Sequence, residues 1–108
     1  MRRILALMLL VIAFPACGAD YLARVIGIAD GGTITVLTAD KSQGRIRLWG
    51  IDAPEIGQDF GSRARQAASS LAFGKHVIIR ARDTDRYGRT VAEVILPDGR
   101  SMNREMVR

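Results

Sequence analysis

This 108-residue chain is poor in the residues that brace small exported proteins and bind transition metals. It has one cysteine, Cys17, so no internal disulfide can form within the chain. It has one histidine, His76, which opens an apolar strand without a cysteine or second histidine at ligand spacing, so no metal role is assigned to it. Aromatic residues make up only 6% of the chain. Repeats, linkers and low-complexity tracts are absent. The longest apolar run, Ile4 to Phe14, has eleven residues, whereas a bilayer span takes about 20.

That run follows the basic Met1-Arg2-Arg3 and precedes the small residues Pro15-Ala16-Cys17-Gly18-Ala19. No polar face recurs within it at helical or strand period, as a buried element of a domain would require. The pattern is that of a secretory leader, residues 1–19, cleaved after Ala19. Export to the periplasm or the extracellular space is expected. Phe14-Pro15-Ala16-Cys17 faintly resembles a lipobox, but Phe14 stands where leucine is preferred, which favours cleavage over lipidation at Cys17. Residues 20–108 then form one domain of 89 residues, a size with a small core and little stability in reserve. With Arg2 and Arg3 removed, 14 basic and 11 acidic residues leave a charge of +3, a mild bias toward polyanions. Twelve of the 14 basic residues are arginines, which suit forked phosphate contacts, although high genomic G+C content would give the same excess.

Apolar alternation predicts strands over 21–28, 33–38, 45–51, 75–81 and 90–96. Asp30-Gly31-Gly32 makes a hairpin turn and Pro97-Asp98-Gly99 another. Pro54 ends the third strand's run. Ser62 can cap a helix reaching about Phe73, with Ala64, Ala67, Ala68, Leu71 and Ala72 as its apolar stripe and Gly74 as its stop. A short second helix starts at Ser101. Three strands, a helix, two strands and a helix give an α+β class. A five-stranded barrel of the oligonucleotide-binding (OB) type, with an inserted helix and a short C-terminal helix, fits this order.

Two segments carry chemistry: Arg47-Leu48-Trp49-Gly50-Ile51-Asp52-Ala53-Pro54-Glu55 and Asp83-Thr84-Asp85-Arg86-Tyr87-Gly88-Arg89. Each sets an arginine near carboxylates at a strand end or turn. Phosphodiester hydrolysis needs that inventory, with carboxylates to hold a cation and activate water and guanidinium forks to bind phosphate oxygens. Each segment has a plainer reading: a strand arginine usually faces solvent, an Asp-x-Pro turn is usually only a turn, and Tyr87 can be a packing residue beside Gly88. Asp85 is expected to set the turn that aims Arg89 rather than to pair with Asp83 as a metal site. Trp49, placed mid-strand, is expected in the core.

In this order and spacing, the Arg-x4-Asp-x-Pro-Glu segment, the Asp-Arg-Tyr-Gly-Arg turn from Asp85, the Asp30-Gly31-Gly32-Thr33 turn and the Asp98-Gly99-x3-Asn103-x3-Val107 tail resemble the thermonuclease family, exported calcium-dependent nucleases similar to staphylococcal nuclease. The resemblance covers about Arg24 to Arg108. It implies endonucleolytic cleavage of DNA and RNA, with Asp52 and the Ala53 carbonyl as calcium ligands and Glu55 positioning or deprotonating the attacking water. Arg47 and Arg89 would clamp the scissile phosphate, and Arg86 and Tyr87 would line the nucleotide pocket. A monomer acting on single strands is expected, since a shallow barrel groove follows one backbone.

The chain departs from the family in two ways. The family's turn reads Asp-Gly-Asp-Thr, its second aspartate a calcium ligand; here that position is Gly32, leaving Asp30 to reach the ion through water. Calcium should therefore bind weakly, since affinity follows ligand charge and rigidity. Family members also continue into longer C-terminal helices, whose absence after Arg108 would expose apolar surface. The expectation is a nuclease of weakened activity. The alternatives are a non-catalytic nucleic-acid-binding barrel or a degenerate fragment.

Overall fold

The computed structural model describes residues 20–51 and 61–107. The expected leader, with Cys17, and the Asp52–Glu55 segment lie outside these residues. Seven elements follow in chain order: β1 (Asp20–Asp30), β2 (Thr33–Thr38), β3 (Gln43–Leu48), α1 (Gly61–Ala72), β4 (His76–Thr84), β5 (Thr90–Ile95) and α2 (Met102–Met106).

The strands close into a barrel in the order β1-β2-β3-β5-β4, antiparallel throughout except for the β3–β5 pair. Closure through the parallel pair follows from the inserted α1, which carries the chain from the end of β3 to the start of β4. Period-two alternation aims one side of each strand inward: Val25 on β1, Ile34 and Val36 on β2, Ile46 and Leu48 on β3, Val77 and Ile79 on β4, Ala92 and Val94 on β5. A branched or aliphatic side chain fully buried there is worth roughly 1.5–3 kcal/mol. β1 carries two register shifts, between Val25 and Gly27 and between Ile28 and Asp30, which bend it enough to pair with both β2 and β4.

Two helices close the barrel. α1 lays Ala68 and Ala72 on the core, with Leu71 partly buried against it. Ala67, expected in the same stripe, is exposed. At the helix start the β1–β2 turn comes so close that a Cβ on Gly31 would stand 2.6 Å from the Ala64 Cβ, so glycine is required by contact. α2 begins at Ser101, whose hydroxyl accepts from the Arg104 N–H at 3.3 Å. It drives Met102 fully into the core. Beside it Asn103, 7% exposed, accepts from the Val94 N–H (2.9 Å) and donates to the carbonyls of Ala92 (3.0 Å) and Trp49 (2.9 Å). One satisfied amide thus joins α2 to β5 and to the end of β3.

The architecture is the expected α+β, OB-like barrel. Its boundaries differ most in β1, which runs Asp20–Asp30 rather than 21–28, in β3, which runs Gln43–Leu48 rather than 45–51, and in β4, which extends to Thr84. Trp49 is the larger departure. It is 51% exposed, not in the core, because Leu48 points inward and its neighbour must point out.

Candidate functional site

The outer face of β3 carries Arg45, then Arg47, alternating with the buried Ile46 and Leu48. Arg47 pairs in register with Thr33 on β2 and Val91 on β5, which places it at a three-strand seam. Its guanidinium is tied to main chain: Nη1 donates to the Gly32 carbonyl at 2.9 Å and Nη2 to the Ile51 carbonyl. The Gly32 carbonyl also accepts the Leu48 N–H at 2.8 Å. A guanidinium has five N–H donors, so these two anchors fix Arg47's plane and leave three donors without a partner among the described residues.

The Asp85–Arg89 turn is organised by one carboxylate. Asp85 Oδ1 accepts the N–H groups of Tyr87 and Arg89, each at 2.9 Å, while Oδ2 accepts Arg89 Nε at 2.7 Å. Main-chain bonds from Gly88 N to the Asp85 carbonyl (3.1 Å) and from Asp85 N to the Arg89 carbonyl (2.9 Å) close the turn. Gly88 sits at φ 79°, a left-handed conformation that glycine adopts without steric cost. Burial alone would raise the Asp85 carboxyl, but the hydrogen bonds from Arg89 and Tyr87 and the Arg89 charge outweigh it and hold the carboxyl below its ordinary range. Tyr87 is 64% exposed, and the guanidinium carbons of Arg86 and Arg89 lie 5.4 and 5.5 Å from its ring centre.

The parallel register brings these two pieces together. Ile46 faces Thr90 and Arg47 faces Val91, so the residue before β5, Arg89, enters the sheet alongside Arg45 with Arg47 next on the neighbouring strand. The sequence motifs do not single out Arg45. Its Nη2 reaches the Tyr87 carbonyl at 3.5 Å, and it lines a cleft of about 430 Å³ with Thr35, Thr84, Gly88 and Thr90. The alternation Arg45-Ile46-Arg47 is the signal that places both arginines on one face.

Asp30 ends β1 opposite Thr33, the residue that pairs with Arg47. Its Oδ1 accepts the Gly32 N–H at 2.8 Å, so one carboxylate oxygen already serves the turn. Asp52, Ala53 and Glu55 lie outside the described residues. Among the described residues no three His, Cys, Asp or Glu side chains converge. Calcium takes 6–8 oxygen ligands, and among the described residues Asp30 is the carboxylate beside this turn. His76 is exposed at the start of β4.

Comparison with known proteins places this arrangement. The model of the family described as staphylococcal nuclease homologue matches residues 45–108, which include both arginine segments. Protein ParB of Escherichia coli is 45% identical over 115 residues, covering 99% of this chain and 64% of that protein. An uncharacterized endonuclease of Escherichia coli O157:H7 is 42% identical over 108 residues, covering the whole chain and 70% of its own length. Micrococcal nuclease of Shigella flexneri is 44% identical over 97 residues, 90% of this chain and 55% of that protein. The chain thus spans a little under two-thirds of the first of these relatives and about half of the last. On the family match and these identities, the chain belongs to the staphylococcal nuclease homologue family.

Proposed function

We propose that the chain is an exported, calcium-dependent endonuclease that hydrolyses phosphodiester bonds of DNA and RNA, with activity weakened by glycine at position 32. The observation that carries this reading is the fixed arginine pair: Arg47 anchored on two carbonyls and Arg89 oriented by Asp85, on adjoining strands beside the Asp30 turn.

In this mechanism Arg47 and Arg89 bind the non-bridging oxygens of the scissile phosphate. Both are oriented before substrate arrives, so negative charge building on phosphorus meets donors that need not reorganise. Glu55 positions the attacking water and takes its proton. Arg86 and Tyr87 hold the adjoining nucleotide. Asp52, the Ala53 carbonyl and, through water, Asp30 would hold calcium, which when bound supplies positive charge against the phosphate oxygens. Single strands are preferred, and the protein acts as a monomer in the periplasm or outside the cell.

A second reading, a nucleic-acid-binding barrel without catalysis, is favoured by one observation: the turn has Gly32 where the family's ligand aspartate would stand, and the remaining Asp30 already accepts the Gly32 N–H. Cleavage and binding of single-stranded DNA, measured together in millimolar calcium with Glu55→Gln alongside, separate the two. The nuclease cuts, and Glu55→Gln abolishes cutting while binding persists. A parent chain that binds and never cuts at any calcium concentration overturns the enzymatic reading.

A further inference from the structure

Trp49 is the chain's only tryptophan, and it stands half exposed on the outer face of the barrel. It follows Arg47 by two residues, so the two side chains leave the same side of the chain about 6.6 Å apart along the strand direction. The Trp49 N–H donates to the Ala92 carbonyl at 2.8 Å, which continues the β3–β5 ladder one residue past β3 and fixes the indole's root. The Asn103 amide holds the Trp49 carbonyl from below.

The guanidinium carbon of Arg82 lies over the Trp49 ring, 4.3 Å from its centre. Arg82 belongs to β4 and Trp49 to the end of β3, and β5 runs between them in the sheet. The arginine therefore reaches across a whole strand. It sits in the β4 register shift between Ala81 and Asp83, where the pairing with β5 is interrupted. Nearby carboxylates have other partners: Glu93 pairs with Arg80, Asp83 accepts the Thr84 N–H, and Asp85 holds Arg89. Among the described residues Arg82 has no carboxylate partner. An exposed indole thus carries an exposed guanidinium, without a carboxylate partner among the described residues, beside the Arg47 strand position.

We infer that Trp49 and Arg82 form a stacking subsite for a base of single-stranded nucleic acid, one that adjoins Arg47 and is separate from the Arg86–Tyr87 turn. A base stacks on the outer plane of the Arg82 guanidinium, with the indole beneath holding that plane flat. Every base has a π-face, so the subsite is tolerant of sequence. Its position past Arg47 along β3 gives the bound strand a direction across β3 and β5. The inference rests on the proposed nucleic-acid function and would add a contact that binding-only and catalytic versions share.

The single tryptophan makes the test direct. Oligothymidylate of about 8 residues, within the roughly 4–16-nucleotide footprint of such barrels, is titrated into the purified protein in EDTA, where it stays intact. Anisotropy of a label on the oligonucleotide reads binding, and tryptophan emission reads Trp49 alone. The emission should change over the concentration range in which anisotropy rises. Trp49→Leu and Arg82→Lys should each weaken binding, Trp49→Leu by roughly 5- to 150-fold, the span of base stacking on aromatic side chains. The Trp49→Leu ratio should hold as salt is raised, because stacking releases no counterions, while overall affinity falls. Arg82→Lys keeps the charge and loses the plane, so parent-like binding by that variant overturns the stack even if Trp49→Leu is poorly folded. Normal anisotropy with unchanged emission and unaffected variants overturns the subsite and leaves nucleic-acid binding standing. No anisotropy change with any strand overturns both.

Discussion

The two turns that border the arginine face are built in opposite ways. In the Asp85–Arg89 turn one carboxylate holds two main-chain N–H groups and a guanidinium, and three arginines crowd the same patch. In the Asp30–Thr33 turn the carboxylate holds a single N–H, and the next position with any ligand potential is Gly32, which has no side chain. On the proposed function, the anion-binding side is preorganised and amply supplied, whereas the cation-binding side offers, among the described residues, only Asp30 as a carboxylate. A site built this way can grip a phosphate well before it can polarise one. On the proposed function, that ordering would let catalysis weaken while binding persists, because an arginine fork works without a metal and a carboxylate pair does not.

The largest effect should come from breaking the built side. Arg89→Ala or Arg47→Ala removes a donor fixed in advance toward developing charge, which typically costs about 10²–10³ in rate. Single-turnover cleavage of saturating single-stranded DNA measures it. Lysine at position 89 should recover little, since an ammonium cannot satisfy Asp85 and fork a phosphate together. Next in size is repair of the depleted side. Glycine 32 is not among the glycines with positive φ, so an aspartate can adopt its backbone conformation. Gly32→Asp should tighten calcium at least about 10–100-fold, the scale of even an outer-shell loss, and should raise cleavage at low calcium. A calcium titration of cleavage and isothermal calorimetry check the two halves. If Gly32→Asp leaves both unchanged while Arg89→Ala still abolishes cutting, the metal side is not where activity is limited.

The sequence disclosed the barrel because apolar, β-branched residues cluster on five short segments, and its turn residues fall between them. Ser62 to Gly74 differs from that pattern enough to stand out as the one long helix. The Asp85–Arg89 turn is legible for a local reason: an aspartate two and four residues before N–H groups can bond both. Long-range consequences are not legible. Nothing near Asn103 in sequence says that its amide will meet Ala92, Val94 and Trp49, partners 11, 9 and 54 residues away. Trp49 is misplaced when its hydrophobicity is weighed above its parity, although Leu48 already fixes which way it points. Arg82 gives no signal at all, since its reach to Trp49 crosses from β4 to the end of β3 with β5 lying between.

A smaller effect, on stability alone, sharpens the comparison at the depleted turn. The turn is held against α1 by close contact, so a methyl at Gly31 would have to displace the Ala64 Cβ from 2.6 Å. Gly31→Ala should cost about 1–3 kcal/mol, the usual range for overpacking. In a domain of this size that lowers Tm by roughly 4–8 °C per kcal/mol. Gly32→Asp should leave Tm close to the parent's without calcium. Equal losses for the two variants would mean that the turn tolerates no side chain at either position.

The smallest effect distinguishes the built turn by its acid response. Burial pushes the Asp85 carboxyl up, but hydrogen bonds from Arg89 and Tyr87 and the Arg89 charge exceed that push and hold it below its ordinary value of 3.8. A group whose folded value is depressed stabilises the fold above its unfolded value, and that contribution is lost as pH falls through the folded value. The turn should therefore be unchanged from neutral pH down to about 4 and loosen only below it. The amide resonances of Tyr87 and Arg89, followed by NMR as pH falls, should share one inflection below 3.8. An inflection above that value would mean that the carboxylate does not hold the turn, and Arg89 would then be oriented by something other than Asp85. Asp85→Asn supplies the control: its side-chain carbonyl can accept the two N–H groups but carries no charge for Arg89, so the inflection should vanish while the turn's main-chain shape persists.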